Sequence, residues 1–494
     1  MIADLVGLNQ ALVSDLVARA TTAYQARDWA TALTIYRHLR DTYPAVAKGL
    51  MVPVIIARCE IELSDDHIPA WLDLELGAPS QHFAGVIHDI KLRAIECCRA
   101  GEFRRASGLL RLIELKDGPV SRTYTNGMLD RRSRCEAQAG AQGDAPPFIA
   151  GQGIGAWPVA TLRERCEGRR VLFVRRYSYV NNPARMHEFS DRVTRSAASR
   201  GFSVLELNVA ALPGPALETY VAVLQQTIAT FKPDIIFYDE LFTSGVSADP
   251  RFADDIATVL ENARRRLGTR VVKGETDAWY IATFMPEQLF KHLGRCVDLV
   301  QHCHPAILDR GTDAEKAAVL CYPLPHFLPT PTVEAGTIAR AVFVGSVTLI
   351  NLARLVWWAE TARAGLPVDF VEARVDAAEQ ISDLDYVNLL RAYQVSVNFT
   401  MRPTGVRILT GRAIEVPLAG GVLLEEDSLD TRYFMTPGAH YVPYETLPDL
   451  AAILPDLLRD DARRRELAAA GQAWATKYLT GDYFWAGLLH RLYG

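Results

Sequence analysis

The feature that most constrains this chain is a change of texture near residue 168. From there, short runs that are almost continuously apolar and β-branched (170–174, 204–207, 234–238, 270–273 and 297–300) alternate with amphipathic stretches such as 188–200, 217–231 and 251–267. A strand that is apolar at nearly every position has no face to offer water, so both faces must be covered, as in a parallel sheet with crossover helices. The alternation predicts a doubly wound α/β domain. A Pro-rich passage, 322–331 (YPLPHFLPTP), interrupts it. Proline fixes φ and cannot donate to a ladder, so this reads as an extended connector. A second series follows, with strands expected at 341–344, 368–371, 395–399, 421–424 and 441–442 and helices such as 352–364 and 447–458. Two such domains on one connector imply a cleft faced by strand carboxyl ends.

Ahead of residue 137 the sequence is rich in Ala, Leu, Arg and Glu at helical spacing, which predicts an all-helical region. Ala20, Ala23, Tyr24, Trp29, Ala32, Leu33, Tyr36 and Leu39, closing at Tyr43-Pro44, put small residues where two helices must approach. This pattern resembles a tetratricopeptide repeat, and a weaker copy runs from Ala94 through Gly101, Phe103, Ala106 and Leu109 to Leu115. A generic helical bundle accommodates either hairpin; two at the same offsets favour a short helical-repeat domain. The Gly-, Ala- and Pro-rich stretch 137–158 reads as a linker. The expected organisation is a helical-repeat domain at 1–140, a linker at 141–165, α/β domains at 166–330 and 331–478, and a last helix at 479–494 crossing back to the first α/β domain.

Composition narrows the function classes. The 494 residues carry 53 Lys+Arg against 58 Asp+Glu, without the basic excess that a nucleic-acid partner requires. No apolar run approaches the roughly 20 residues of a membrane span, and Asp4 stands where a signal peptide would carry a basic residue, so a cytoplasmic protein is expected. The eight cysteines form no C-x-x-C pair and read as reduced thiols.

Two stretches could carry chemistry. The run Val342-Phe343-Val344-Gly345-Ser346 is a strand entering Gly-Ser, where a phosphate can approach backbone N–H groups; on its own such a turn more often serves packing. The second stretch, 402–426, runs through Arg402, Arg407 and Arg412 to Glu415 on an expected helix and ends at Ala419-Gly420-Gly421. Arginine forks suit diphosphate oxygens and a carboxylate suits a ribose diol. Arg407, Gly411, Glu415 and Leu418 are spaced to share one helix face, where Arg and Glu also read as a plain ion pair.

The run Arg412-Ala-Ile-Glu415-Val-Pro-Leu-Ala-Gly420-Gly421, followed by Tyr433-Phe434, Pro437-Gly438-Ala439-His440 and Leu467 to Trp474, resembles the C-terminal half of bacterial GT-B glycosyltransferases, nearest to the spore-maturation and group 1-like kind. The resemblance implies two Rossmann-like domains in the GT-B arrangement and transfer of a sugar from a nucleotide-sugar donor (UDP-, GDP-, CMP- or dTDP-linked), without a required metal. It places the donor on the second α/β domain, with Glu415 on the ribose, Gly345, Ser346, Arg407 and Arg412 at the diphosphate, and Gly420 and Gly421 in the same donor-binding set. The position eight before Glu415 is Arg407, a departure from the paired glutamates of many retaining enzymes of this fold.

An acceptor-side base is sought at strand ends of the first α/β domain. Asp277 and His187 lead there, beside Asp239, Glu240, Glu275 and Glu188, all of which also read as caps or solvated surface. His302-Cys303-His304 lacks the spacing of a zinc site, so no metal ligands are assigned. The expected activity is glycosyl transfer to an acceptor, such as flagellin, recruited as a protein by the helical domain, with self-association open. The alternatives are glycan or lipid-linked saccharide assembly, and a non-catalytic adaptor carrying a decayed GT-B unit.

Overall fold

The computed structural model describes residues 2–49, 52–64, 83–117, 159–175, 178–179, 182–186, 188–208, 219–239, 241, 249–275, 292, 294–302, 317–319, 328–345, 352–372, 381–400, 407 and 409–494. The helices are α1 Ile2–Gln25, α2 Trp29–Thr42, α3 Pro44–Gly49, α4 Val52–Ser64, α5 Phe83–Arg99, α6 Phe103–Asp117, α7 Leu162–Cys166, α8 Glu188–Ala198, α9 Tyr220–Phe231 and α10 Pro250–Leu267. They continue with α11 Leu352–Arg363, α12 Asp383–Ala392, α13 Gly411–Leu418, α14 Leu429–Phe434, α15 Leu447–Arg459, α16 Asp461–Tyr478 and α17 Gly481–Tyr493. The strands are β1 Arg170–Arg175, β2 Ser178–Tyr179, β3 Asn182–Met186, β4 Ser203–Asn208, β5 Ile235–Asp239, β6 Arg270–Glu275, β7 Leu299–His302 and β8 Ala317–Val319, then β9 Ile338–Gly345, β10 Val368–Glu372, β11 Tyr393–Asn398, β12 Leu423–Glu426 and β13 Val442–Tyr444. The chain forms two compact units, one joining the N-terminal helices to residues 345–372 and the other holding the rest of the α/β part.

In the first unit, Arg27 at φ 59° and Gly101 at φ 77° turn α1 into α2 and α5 into α6, and the Asp28 carboxylate caps α2 by accepting from the Thr31 amide. One apolar core is built from Ala20, Ala32, Leu39 and Ile56. A second holds Ala57, Ile61, Ala94, Leu109 and Ile113, and it is completed by Leu355 and Ala359 of α11. Trp358 stacks on Phe370 of β10 at 5.2 Å, Arg99 forks onto Glu372 at 2.5 and 2.9 Å, and Ser107 donates to Glu360. The helix expected to serve only the second α/β series therefore packs as part of the helical unit. Arg58, 1 % exposed, is buried between the cores; its guanidinium donates to the Tyr24 hydroxyl at 2.5 Å, pairs with Asp89 and Glu62 and stacks on Trp29. Buried charge of this kind persists only when paired.

In the second unit, a parallel sheet runs in the order β4-β1-β5-β6-β7-β8. Central strand β5 is buried at every position, as the continuously apolar run requires. A second set of parallel strands runs β9-β11-β12-β13. The closing helix α17 packs against the first sheet: Trp485 meets Phe202 at 4.8 Å and Phe173 at 6.3 Å, and Asp482 accepts from Arg200 at 2.8 Å. The linker 141–165 lies outside the described residues up to 158, as does most of the connector up to 327. The described cysteines, Cys59, Cys97, Cys98, Cys166 and Cys296, are buried and unbridged. Among the described residues no helix is long and apolar enough to cross a membrane.

Candidate functional site

The polar residues of the second unit concentrate where β9, β11, β12 and β13 end. Helix α13 starts there, at Gly411 behind the cap residue Thr410, so Arg407 lies ahead of the helix and shares no helical face with Glu415. What fixes Arg407 is the strand ends: its fork donates to the carbonyls of Asp427 at 3.1 Å and Glu445 at 2.9 Å, and it pairs with the fully buried Glu426 at 3.2 Å. Arg412 does the same for the other two strands. Its Nε donates to Asn398 Oδ1 at 2.8 Å and its NH1 to the Val344 carbonyl at 2.8 Å, while the guanidinium lies 4.9 Å over the Phe343 ring. Each arginine thus spans two adjacent strands at their carboxyl ends. Gly345 is the last residue of β9, directly after Val344.

Glu415, one turn into α13, is buried and accepts from the Tyr386 hydroxyl of α12 at 2.6 Å. Its carboxylate folds back over Gly411, where a Cβ would stand 3.2 Å from one oxygen. Helical side chains lean toward the N-terminus, and the glycine makes room for this one. Glu415 and Arg412 are therefore brought to the same end of one helix.

Gly420 and Gly421 are not. They close α13 at its other end, beside the residues that precede β11, and a helix of eight residues places them about 12 Å away. Gly420 has φ +74°, and a Cβ on Gly421 would meet the Leu390 carbonyl at 2.7 Å. Both glycines answer to backbone geometry. A cavity of about 400 Å³, bordered by Pro329, Pro331, Arg391, Leu418 and Gln472, lies at this end.

Sequence reasoning missed the interior of the site. Asn398 Nδ2 donates to Glu425 at 2.7 Å and to Thr410 at 2.7 Å; Thr431 donates to the other Glu425 oxygen at 2.9 Å; and Glu426 accepts from the Thr400 amide at 2.7 Å. Glu425 and Glu426 are both fully buried. Burial pushes the Glu425 carboxyl up to about 8, against the pull of Asn398, Thr431 and Arg412. Tyr444 hydrogen-bonds the Asn398 carbonyl at 2.7 Å, and burial holds its phenol well above the usual range. The available signal was two acidic residues directly after the apolar run 421–424 and an asparagine inside the run 395–399.

On the first sheet, Asp239 ends β5 and is buried, its carboxylate 2.8 Å from where a Cβ on Gly274 would stand. Lys273 and Gln301, on neighbouring strands, are fully buried. His187, Asp277, Glu240, Ser346, Arg402, Cys303 and His304 lie outside the described residues. Among the described residues, no group of three or more His, Cys, Asp or Glu side chains is placed to hold a metal ion.

No curated protein matches the chain. Among solved structures, Anabaena HepE in complex with UDP and glucose aligns at 13% identity and TM-score 0.43, over 63% of this chain and 96% of that one. A glycosyltransferase from Rickettsia africae aligns at 8% identity and TM-score 0.43, over 66% and 98%. A putative UDP-N-acetylglucosamine 2-epimerase from Listeria monocytogenes aligns at 12% identity and TM-score 0.39, over 63% and 94%. Residues 334–489, which hold Asn398, Arg407, Arg412, Glu415 and Glu425, match the model of the family described as glycosyl transferase-like.

Proposed function

We propose that this protein is a glycosyltransferase of the GT-B arrangement, drawing a sugar from a nucleotide-sugar donor seated at the carboxyl ends of β9, β11 and β12. What carries the reading is the placement of Arg412 and Glu415 at one end of α13 inside the glycosyl transferase-like segment. Arg412 offers a rigid fork to the diphosphate, aided by the positive N-terminal end of α13 and by Gly345 at the end of β9. Glu415 has four lone-pair positions, enough to accept from ribose hydroxyls as well as from Tyr386. The leaving diphosphate is stabilised by these fixed charges without a metal ion. Arg407 supports the site through the strand ends that it joins. The acceptor hydroxyl is deprotonated from the first α/β domain, with His187 and Asp277 as the base candidates. The acceptor is a protein, a reading supported by the helical unit with its two tightly turned helix pairs.

Thermal unfolding against UDP-, GDP-, CMP- and dTDP-sugars, run beside Glu415→Ala, tests the reading. A donor at 100 times its dissociation constant adds about 2.7 kcal/mol. Stabilisation by one nucleotide class that Glu415→Ala removes is the expected result. No stabilisation by any of the four would sink it and leave the adaptor function.

A further inference from the structure

The hydrogen bonds beneath Arg412 converge on Glu425 from two sides. Ser428 Oγ donates to Thr431 Oγ1 at 2.9 Å, Thr431 donates to one Glu425 oxygen, and Asn398 Nδ2 donates to the other. Arginine has no acceptor and an ionised carboxylate no donor, so the Asn398 amide has one orientation that serves both, with Oδ1 toward Arg412 and Nδ2 toward Glu425. We propose that Glu425 is a positioning residue for donor binding: it fixes the facing of the Asn398 amide and thereby holds Arg412 across the ends of β9 and β11. The inference rests on the donor-site reading of Arg412.

Glu425 also sets the charge felt at that arginine. The charged or titratable groups acting on it are Arg412 from α13 and the neighbouring Glu426; Tyr441 and Tyr444, around β13, feel its charge and stay neutral because burial raises both phenols. Arg407 faces Glu426. Burial raises the Glu425 carboxyl into the neutral pH range. Below that range a neutral Glu425 leaves the Arg412 charge uncompensated; above it the carboxylate offsets that charge and weakens the grip on an anion. Protonation leaves the relay intact, because the Thr431 hydroxyl can turn to accept.

The test is calorimetric binding of UDP-, GDP- and dTDP-glucose to the full chain between pH about 6.5 and 9; the diphosphate of these diesters does not titrate over this range. For wild type, affinity is expected to fall on the order of ten-fold across the range, as expected for one charge step in a partly buried site. Glu425→Gln can accept from Asn398 and donate to Thr431, so it should bind across the range as tightly as wild type does at low pH, with a flat profile. Glu425→Leu should bind weakly at every pH. A sloping profile in Glu425→Gln, a flat one in wild type, or wild-type binding by Glu425→Leu would overturn the inference. The Gln profile decides by itself if the Leu variant does not fold. If wild type binds none of the three, or Arg412→Ala binds them unchanged, what fails is the donor-site reading.

Discussion

The two ends of helix α13 carry the same kinds of residue to different effect. At its C-terminal end, Arg391 donates to the carbonyls of Val333 and Ala419 and Gln472 donates to that of Leu418. These bonds finish on backbone groups whose positions the chain already dictates, and those to Leu418 and Ala419 answer the orphan carbonyls of a helix end. At its N-terminal end, Arg412, Asn398, Glu425 and Thr431 bond mainly to one another. Side chain to side chain bonds are the minority class in proteins. A network of this kind can change its protons or yield to a ligand without unravelling a helix, whereas the C-terminal set works as a splice. Two arginines on one helix neighbourhood are therefore told apart by what they hold.

That contrast breaks if mutations at the splice end alter donor binding more than stability. The largest effect is expected from Gly421→Ala, whose Cβ would approach the Leu390 carbonyl to 2.7 Å. It should lose about 3 kcal/mol in denaturant unfolding, by overpacking against backbone, with the donor dissociation constant unchanged in the folded fraction.

Next comes a pH effect from the other end. The folded-state carboxyl of Glu425 is raised to about 8, so between the ordinary carboxylate value and about 8 the folded state holds a proton that the unfolded state has released. Its contribution is complete at acid pH and is lost as pH rises through that window. Wild-type melting temperature should decline there and level off above about pH 8, and Glu425→Gln should flatten the decline, so that its stability relative to wild type rises through the window. A variant that declines in parallel would show that another group sets the slope. The smallest effect is Arg391→Ala, a loss of about 1 kcal/mol from carbonyls that water can partly re-satisfy, again with donor affinity intact.

Strand placement was largely legible in the sequence, because a strand buried on both faces must be apolar along its length: 170–174, 270–273 and 341–344 lie within strands, and 395–399 overruns the end of β11 by one residue. Ala317 to Val319 escaped as too short and too weakly β-branched, and β2 with β3 as too polar. Arg412 and Glu415 were singled out through the run Arg412-Ala-Ile-Glu415 of the family resemblance, and the expected helix under them is the one that starts at Gly411. Arg407 was wrongly joined to that helix because periodicity does not report where a helix starts; the bonds that hold it come from Asp427, Glu445 and Glu426 in sequence-distant segments. Glu425 went unread because a polar residue after an apolar strand is ordinarily the first exposed one; Asn398 fell inside the expected strand 395–399, where the pattern gives burial but not the partners of its amide, which come from sequence-distant segments. The place of α11 in the helical core was hidden for the same reason, since amphipathicity announces a buried face without naming its partner.

That helix sets a timetable for synthesis. The core shared by α4, α5 and α6 is finished by Leu355 and Ala359, and 352 − 117 = 235 positions separate the start of α11 from the end of α6. At ribosomal rates of roughly 5 to 20 residues per second, the nascent helices wait on the order of ten to fifty seconds with Leu109 and Ile113 uncovered. Helices that emerge well before α11 are completed only after it, and during that interval their open face is one that chaperones would be expected to shield.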